Sequence, residues 1–450
     1  MYNAAVESPT RREAITEVPR RVLVIGGGAA GLLAAGRAAQ VAGEQGEPLE
    51  VILLEKTSAV GRKLARAGNR RGNLTNCAPV EEHVRHLGPQ GYFARNALYR
   101  FGPQEVAAFF EELGLPLDVE PDGRVFPRSG RAADAVACLA AWCRREGVVV
   151  RTTAGVRRLV VHEGRVRGAF LIRGYVLEAN AVILATGGWS YPQTGSSGDG
   201  WLLASEVGHK VHPPAAGLAG METAQRPIGL AGVSLPDVTA TALRDGRVLA
   251  ETRGELLFTH VGLSGPAVLT LSLRVARALA EGPLTVRLDL FPSLSDAELD
   301  ALLRHAQAEA GRAMAEALFT GLLPRRLAAS LVARAGLPVD LRAARCTVAQ
   351  RAMAVAAAKR AEFEVARARP LREAMVTVGG VDVGEVEPTT MASRVAPGLY
   401  LAGELLDVAG ETGGYNLQFA FSSGRLAGES AARAVLREPP SPPLWRHSTP

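Results

Sequence analysis

A glycine-rich turn near the start of the chain has the residue types and the spacing that bind phosphate. Residues 22–31 read VLVIGGGAAG, a GxGxxG pattern that directly follows an apolar strand and opens a helix. The first glycine of this pattern permits a tight turn, the second lets the backbone approach a pyrophosphate, and the third lets helix and strand pack closely. The helix offers free N–H groups and a positive dipole end to the phosphates. The predicted dinucleotide-binding residues here are Gly26, Gly28, Ala29, Ala30 and Gly31.

An acidic residue at the end of the next strand supports this interpretation. Glu55 ends the strand LEVILLE, close to the spacing of about 20 residues at which such an acid is expected. A carboxylate there accepts hydrogen bonds from the ribose hydroxyls of adenosine, and its charge repels a 2′-phosphate. The alternative is an ordinary strand-end glutamate. We expect Glu55 to bind ribose, and the nucleotide to be FAD or NAD rather than NADP.

Two later strands that run into glycine turns favour FAD over NAD. Residues 183–188 read ILATGG, and residues 399–404 read LYLAGE, followed by a Gly-Gly-Tyr-Asn turn and a helix. An NAD dehydrogenase usually completes its nucleotide domain before its substrate domain begins. A chain that returns to the nucleotide domain near its C-terminus is typical of a flavoprotein with an inserted substrate module. We therefore predict non-covalently bound FAD.

The elements that position these turns predict an α/β protein with a Rossmann-like FAD-binding domain. Residues 20–203 and 372–436 alternate strand and helix patterns and form this discontinuous domain. Residues 204–292, rich in Gly, Pro and short β-branched runs, predict an inserted β-rich substrate domain. Residues 293–371 predict an inserted helical domain. The polar residues 1–19 and the proline-rich residues 437–450 are predicted to be disordered tails.

The composition excludes several other classes of protein. Hydrophobic residues make up 47% and charged residues 21% of the 450 residues, as in globular domains. The net charge of +6 comes from scattered arginines, which favour a solvated basic surface over nucleic-acid binding. The four cysteines form no CxxC pair, so we predict no metal site and no redox dithiol. Neither a signal peptide nor an apolar run of about 18–20 residues is present, and we expect a cytoplasmic protein without a membrane span.

Six segments resemble one known family and cover residues 20–436 in the family's order. They are GRKLARAGNRRGNLTN (61–76), GRVFPRSGRAAD (123–134), ATGGWSYPQTGSSGDG (185–200), GELLFTHVGLSGPA (254–267), VTVGGVDVGEVEPTTM (376–391) and PGLYLAGELLDVAGETGGYNLQFAFSSG (397–424). The chain is similar to the BaiN-like (YhiN-type) FAD-dependent oxidoreductases, also described as aminoacetone-oxidase-like flavoproteins. The resemblance implies a flavoprotein of the two-dinucleotide-binding-domain type that lacks the second such domain.

This resemblance implies further FAD contacts. Arg62 and Lys63 would neutralise the pyrophosphate, Val156 would contact adenine, and Glu404 would contact the ribityl chain. The helix after residue 414 would direct its positive end at the flavin, which stabilises the anionic reduced ring. Asn73, Thr75 and Asn76 would contact the polar edge of the isoalloxazine ring. The remaining predicted cofactor-binding residues are Lys56, Thr186, Gly187, Gly403, Gly413, Gly414, Tyr415, Asn416 and Leu417.

The segment 61–76 also departs from the family pattern. Ala67, Asn69, Arg70 and Gly72 stand where the family usually has a serine, a run of glycines and a cysteine. Thiol chemistry at this position is therefore excluded in this chain.

The sequence predicts an FAD-dependent oxidoreductase that passes hydride from transiently bound NAD(P)H through flavin N5 to a small organic acceptor. The resemblance suggests an activated C=C bond as that acceptor. His260, Tyr191 and Tyr415 are candidate proton donors, with a purely structural role as the alternative for each. Two other functions stay open. One is an amine oxidase that uses oxygen, and the other is an RNA-associated flavoprotein, suggested by the basic pI and by Arg304, Arg312, Arg325 and Arg326.

Overall fold

The computed structural model describes residues 19–438. Most of the two predicted tails lies outside these residues. The C-terminal boundary shifts slightly, because the last helix continues to Arg437 and Glu438 still forms an ion pair with Arg165, at 2.6 Å.

The elements are as follows, in chain order. The first part of the chain forms β1 (Arg21–Ile25), α1 (Ala29–Gln45), β2 (Glu50–Leu54), β3 (Thr75–Asn76), α2 (Val80–His86), α3 (Gly91–Arg100), α4 (Pro103–Glu112), β4 (Leu117–Val119), β5 (Arg124–Pro127), α5 (Ala132–Arg145), β6 (Val149–Arg151), β7 (Val156–His162), β8 (Arg165–Leu171), β9 (Val176–Glu178), β10 (Ala181–Leu184) and α6 (Asp199–Glu206). The second part forms β11 (Val211–Gly217), β12 (Met221–Thr223), β13 (Ser234–Arg244), β14 (Arg247–Phe258), β15 (Gly262–Ser264), α7 (Pro266–Arg274), α8 (Ala276–Glu281), β16 (Leu284–Asp289), α9 (Asp296–Glu309), α10 (Arg325–Arg334), α11 (Val348–Lys359), β17 (Ala361–Ala368), β18 (Val376–Val381), β19 (Leu399–Leu401) and α12 (Tyr415–Arg437).

A parallel sheet of five strands forms the centre of the nucleotide-binding part. Its strand order is β19-β10-β1-β2-β6, so two strands from later in the chain join the strands that flank the glycine turn. Val22, Leu23 and Val24 are fully buried, because other elements cover the sheet. Helices α1 and α12 contact its strands, and β10 also contacts β8 of the antiparallel sheet β7-β8-β9. The predicted Rossmann-like α/β fold is thereby confirmed, including the return of residues 399–401 to the first sheet.

Helices α1 and α12 pack side by side on this sheet through small residues. A methyl group added to Gly424 would lie 2.2 Å from the Ala30 carbonyl oxygen, and one added to Gly428 would lie 2.1 Å from that of Ala34. From the first contact to the second, the residue numbers of both helices increase by four. The two helices therefore run in the same direction. Since α1 begins one residue before its contact and α12 begins nine residues before, α12 extends about 12 Å beyond the start of α1.

The inserted part of the chain is built around a closed barrel of six strands, in the order β12-β15-β14-β13-β16-β17. The antiparallel pair β11–β18 connects its two ends to the rest of the molecule. One hydrophobic core joins barrel residues such as Phe258 and Val286 to helical residues such as Phe319 and Leu331. The barrel strand β17 also lies within the stretch predicted to be helical. A domain boundary at 292/293 stays a prediction, and we propose that residues 218–371 fold as one inserted unit.

Two small antiparallel sheets complete the nucleotide-binding part. One has the order β3-β5-β4, and the other has the order β7-β8-β9. The first carries the predicted residues Thr75 and Asn76, and the second begins with Val156. These sheets therefore place predicted cofactor-binding residues beside the central sheet.

Candidate functional site

A cleft opens where β1, β2 and β10 end and α1 begins. Its empty volume of about 590 Å³ includes space open to solvent. The lining includes eight of the predicted cofactor-binding residues: Gly26, Gly28, Glu55, Lys56, Arg62, Lys63, Val156 and Thr186. The fold thus brings together residues up to 160 positions apart, as a nucleotide site at the carboxyl ends of parallel strands requires.

The three glycines of the GxGxxG pattern are needed for different structural reasons. Gly26 has φ +108°, a conformation that L side chains rarely adopt. A methyl group added to Gly31 would lie 1.8 Å from the Gly26 carbonyl oxygen, so the helix can approach the strand only with glycine there. A methyl group added to Gly28 would meet no atom within 4 Å, which leaves open space beside the helix start.

The start of α1 has backbone N–H groups that could bind an anion. No side chain caps it, and its first turn, which contains Ala29 and Ala30, carries no acidic residue. Unpaired N–H groups and the positive end of the helix dipole therefore face the open space beside Gly28. This arrangement fits a bound pyrophosphate.

Glu55 is held rigidly at the end of β2. Its Oε2 accepts a hydrogen bond from the Gly27 amide at 2.9 Å, and its Oε1 accepts one from the Thr57 amide at 2.7 Å. A carboxylate offers about four lone-pair positions, so two remain available to ribose hydroxyls. The geometry agrees with the predicted ribose contact, which stays a prediction.

A loop after β10 forms one wall of the cleft, and the sequence reasoning had not singled out its residues individually. Thr194, Gly195, Ser196 and Asp199 line the cleft. Lys56 Nζ donates to Asp199 Oδ2 at 2.9 Å, which ties this wall to the end of β2. The run of small and polar residues TGSSGDG was the available signal.

Thr186, just after β10, carries a polar atom that the protein leaves unsatisfied. Its Oγ1 is buried and has no hydrogen-bond partner, one of five such side-chain atoms in the described part of the chain and the only one in the cleft lining. A buried hydroxyl without a partner is unfavourable, so a ligand that bonds it would be stabilised. The neighbouring Gly187 has φ +76° and turns the chain away from the strand.

A polar cluster joins Lys63 to Glu404 at the side of the cleft. Lys63 Nζ forms an ion pair with Glu404 Oε2, and Glu404 Oε1 accepts hydrogen bonds from the Thr377 amide at 3.0 Å and from Ser190 Oγ at 3.1 Å. Gly403, which precedes Glu404, packs against Ala30 of α1. These three contacts leave about one lone-pair position of the Glu404 carboxylate for a ribityl hydroxyl.

The predicted isoalloxazine contacts Asn73, Thr75 and Asn76 lie at the joint between β3 and α12. With its amide oriented to satisfy both atoms, Asn73 donates to the Thr75 carbonyl and accepts from the Gly414 amide, at 3.0 Å each. Thr75 Oγ1 donates to Gln418 Oε1 at 2.5 Å, and Asn76 Oδ1 accepts from the Ala78 amide at 2.9 Å. Asn73 and Thr75 thus fix the position of α12, whereas Asn76 holds the turn that follows β3. The sequence had not indicated these structural roles.

The turn before α12 is held by Asn416, the second residue of the helix. Asn416 Nδ2 donates to the Gly410 carbonyl and its Oδ1 accepts from the Gly410 amide, both at 2.7 Å. Gly413 and Gly414 have φ +131° and +103°, and no side chain caps the helix that follows. Leu417 is half-buried in the first turn. The uncapped end of α12 lies about 12 Å beyond that of α1, which suits the opposite end of an extended dinucleotide.

The three candidate proton donors occupy different places. His260 is exposed in the turn between β14 and β15 of the barrel, and no contact in the described residues joins it to the cleft. Tyr191 is half-buried with φ +52°, next to Ser190 of the polar cluster. Tyr415 is 6% exposed at the start of α12. The geometry favours Tyr415 and Tyr191 over His260, and all three stay predictions.

The residues present fit FAD. The uncapped start of α1 and the orphan Thr186 hydroxyl suit a pyrophosphate, Glu55 suits a ribose, and α12 supplies a second positive helix end further along. Within residues 19–438, no group of three or more His, Cys, Asp or Glu side chains could hold a metal ion. No helix in the same range is long and apolar enough to cross a bilayer. The fold and the cleft together define a dinucleotide-binding protein of the flavoprotein type.

Comparison with known proteins identifies the family. The model of the HI0933-like protein Rossmann domain matches residues 20–430. The chain belongs to this family, and it is an FAD-dependent oxidoreductase, which confirms the predicted BaiN-like (YhiN-type) resemblance.

Two characterised relatives match almost the whole chain. A 3-dehydro-bile acid delta(4,6)-reductase of Clostridium scindens is 36% identical over 415 residues, which are 92% of this chain and 99% of the relative. A ribosomal RNA dihydrouridine synthase of Haemophilus influenzae is 30% identical over 416 residues, 91% of this chain and 98% of the relative. Among solved structures, a 3-ketosteroid-delta4-(5alpha)-dehydrogenase of Rhodococcus jostii superimposes with a TM-score of 0.51 at 16% identity, over 94% of this chain and 99% of that one. This last likeness concerns the fold.

Proposed function

We propose that the protein reduces a C=C bond conjugated to a carbonyl group of a small organic molecule, with NAD(P)H as the source of hydride. When bound, FAD supplies hydride transfer, since its N5 can accept a hydride from a nicotinamide and deliver it to carbon. The observation that carries the FAD part of this proposal is the cleft at the ends of β1, β2 and β10, with its uncapped helix start and the orphan Thr186 hydroxyl.

The two relatives support the type of reaction. A delta(4,6)-reductase of a 3-dehydro bile acid acts, by its name, on C=C bonds in the same molecule as a 3-oxo group. Dihydrouridine differs from uridine by two hydrogens across a C=C bond that is conjugated to a carbonyl. The reaction that the two names share is therefore addition of hydride and a proton across an activated C=C bond.

The chain's own residues would bind and orient the reactants. The α1 start and Thr186 would hold the pyrophosphate, Glu55 the adenosine ribose, and the positive end of α12 the polar edge of the flavin, where a helix dipole contributes about 0.3–1 kcal/mol at exposed sites. The GxGxxG pattern occurs once, at residues 26–31, so NAD(P)H would bind transiently at the flavin face. We also propose that the protein acts in the cytoplasm.

The experiment is an anaerobic titration of the purified holoenzyme. NADH and then NADPH should bleach the flavin absorbance, and a conjugated enone such as 4-androstene-3,17-dione should restore it. A flavin that stays oxidised with both nicotinamides, but is bleached by a small primary amine, would instead support the amine-oxidase alternative. Enzyme reduced with dithionite that the enone does not reoxidise would contradict the proposed reaction.

An RNA substrate is a second candidate, because one relative is named for ribosomal RNA. Arg66 and Arg70 lie in the exposed loop before β3, and their side chains form no ion pair or hydrogen bond with any described residue. Arg304 and Arg312 in the insertion are likewise exposed and without a side-chain partner. By contrast, Arg325 lies 3.7 Å from Glu316, and Arg326 donates to the Gly229 carbonyl at 3.1 Å.

Unmodified ribosomal RNA distinguishes the two substrates. If RNA is the substrate, it should reoxidise the reduced flavin and bind with a steep salt dependence, and the change of Arg66 and Arg70 to Gln should lower that slope by about one per lost phosphate contact. A reaction with the enone but none with RNA would support the small-molecule proposal.

A further inference from the structure

The N-terminal end of α12 carries a cluster of titratable side chains to which the proposed function assigns no role. The ring of Tyr415 stacks on the His86 imidazole, with centroids 4.2 Å apart and 14° between the planes. His83 meets the same ring edge-on, at 4.9 Å and 76°. Together with Glu411 and Arg274, these residues are called the Tyr415 cluster below.

Glu411 fixes the stacked imidazole in place. His86 Nδ1 lies 2.8 Å from Glu411 Oε2, and the Glu411 amide donates to the His86 carbonyl at 2.9 Å. Arg274 Nη2 donates to Glu411 Oε1 at 2.7 Å. Since Arg274 is the last residue of α7 in the insertion, the cluster connects the inserted unit to the start of α12.

The Tyr415 hydroxyl is a polar group of the cluster without a partner, and the buried Nδ1 of His83 is another. The hydroxyl forms no hydrogen bond with any residue between 19 and 438, although the residue as a whole is only 6% exposed. Its oxygen is not among the buried side-chain atoms that lack a partner, so it keeps access to the solvent and can reach a bound ligand. The Asn73–Gly414 contact directly before Tyr415 holds this end of α12 against β3.

We propose that Tyr415 donates the proton of the C=C reduction, and that His86 and Glu411 are positioning residues that hold its ring. This inference rests on the proposed function. The carbon β to the carbonyl receives a hydride whose two electrons come from NAD(P)H. The electron pair of the C=C bond forms a new bond between the α carbon and the phenol proton, and the phenolate then regains a proton from water.

The surroundings keep the phenol protonated near neutral pH. Burial raises the pKa of Tyr415, and the negative charges of Glu411, Glu82 and Asp122 raise it further. His83 and His86 of α2 contact the Tyr415 ring, and Arg274 of α7 contacts Glu411. The phenol is therefore fully protonated at neutral pH, as a proton donor must be.

The direct test separates proton donation from hydride supply. Holoenzyme reduced with dithionite is mixed anaerobically with 4-androstene-3,17-dione, and the return of flavin absorbance is followed. Tyr415→Phe keeps the stacked ring and should slow reoxidation by about 10²–10⁴-fold. The matched control Tyr400→Phe removes the hydroxyl of a buried tyrosine in β19 and should react like the wild type.

Three outcomes are decisive. Slow reoxidation of Tyr415→Phe alone supports the inference, and reoxidation at the wild-type rate overturns it. If the enone does not reoxidise the wild type, the proposed function is overturned and this inference with it.

A second readout does not depend on activity. The near-ultraviolet absorbance of tyrosinate in the folded protein, wild type minus Tyr415→Phe, isolates the titration of this one phenol. Glu411→Gln removes a neighbouring negative charge and should lower the pKa of Tyr415, whereas the distant Glu47→Gln should leave it unchanged. An unchanged titration in Glu411→Gln would overturn the positioning role.

Discussion

The central sheet and the inserted barrel lie side by side in one chain, but their sequences constrain their structures in different ways. Beside the sheet, helices α1 and α12 approach their neighbours so closely that a single methyl group is excluded, as at Gly31 and Gly424. The barrel also excludes a methyl group at Gly262, which would lie 2.1 Å from the Met221 carbonyl oxygen, but apolar side chains such as Val286 and Leu288 fill its core. The glycine motif at the cofactor end forms the binding turn itself, whereas most of the insertion is specified by a pattern of hydrophobicity. The two hydrophobic cores are separate, so each can be perturbed on its own.

The largest effect should come from a cavity in the barrel core. Phe258 is 1% exposed, and Phe258→Ala should cost about 3–5 kcal/mol of unfolding free energy while FAD affinity stays unchanged. Calorimetry with a parallel FAD titration measures both quantities. Phe110→Ala, in the core of the nucleotide-binding part, is the matched change and should weaken FAD binding as well. Loss of FAD binding in Phe258→Ala would show that the two parts are not independent.

A smaller loss should follow from one added methyl group at the glycine turn. Gly31→Ala forces the helix away from the strand and should cost about 1–3 kcal/mol of stability, with a clear loss of FAD binding. Gly43→Ala in the same helix meets no atom within 4 Å and should stabilise the protein by up to about 1 kcal/mol. Denaturant unfolding of both variants measures this contrast. If the two variants unfold at the same denaturant concentration, close approach of the backbone at Gly31 is not what requires glycine there.

A change of charge at the ribose end should act on binding alone. Glu55→Gln keeps the shape of the side chain but loses the negative charge, and FAD should bind about 10–100-fold more weakly, since a hydrogen bond to a charged group contributes about 1.5–3 kcal/mol. Quenching of FAD fluorescence on titration into apoprotein measures this affinity. Glu47→Gln, at the opposite end of the strand, is the control. If Glu55→Gln binds FAD as tightly as the wild type, Glu55 does not contact the ribose.

The smallest effect is a difference in acid sensitivity between the two parts. Burial lowers the pKa of His83 and of His209, both in the nucleotide-binding part. The unfolded chain then binds protons at a higher pH than the folded one, so their contribution to stability is complete above pH ~6.5 and falls as the pH decreases below it. The described histidines of the insertion, His260 and His305, are exposed. Thermal unfolding measured as a function of pH should show this loss of stability below pH ~6.5. His209→Gln should make the loss smaller. If the melting temperature of that variant falls with pH as steeply as that of the wild type, His209 is not responsible.

The nucleotide end of the site could be predicted from the sequence for two reasons. Backbone geometry requires glycine in the turn, and binding of ribose requires an acid at the end of the strand. The Gly26–Gly31 turn, Glu55 and the return of residues 399–401 to the sheet are of this kind. Contacts between distant segments determine the position of the loop with Thr194 and Ser196, and also the structural roles of Thr75 and Asn73. These features could therefore not be predicted from the sequence. The barrel strand β17 was missed for a related reason, since its alternating pattern follows directly on the helix α11 and pairs with β16 and β12 far away in sequence.

The absorbance spectrum of the purified protein shows at once whether the cleft beside α1 holds FAD. We expect the two absorbance bands of an oxidised flavin and the release of one FAD per chain on heat denaturation. Gly31→Ala should be purified with little or none, while Gly43→Ala retains it. A wild-type protein that is colourless and stays colourless after incubation with excess FAD would contradict the account.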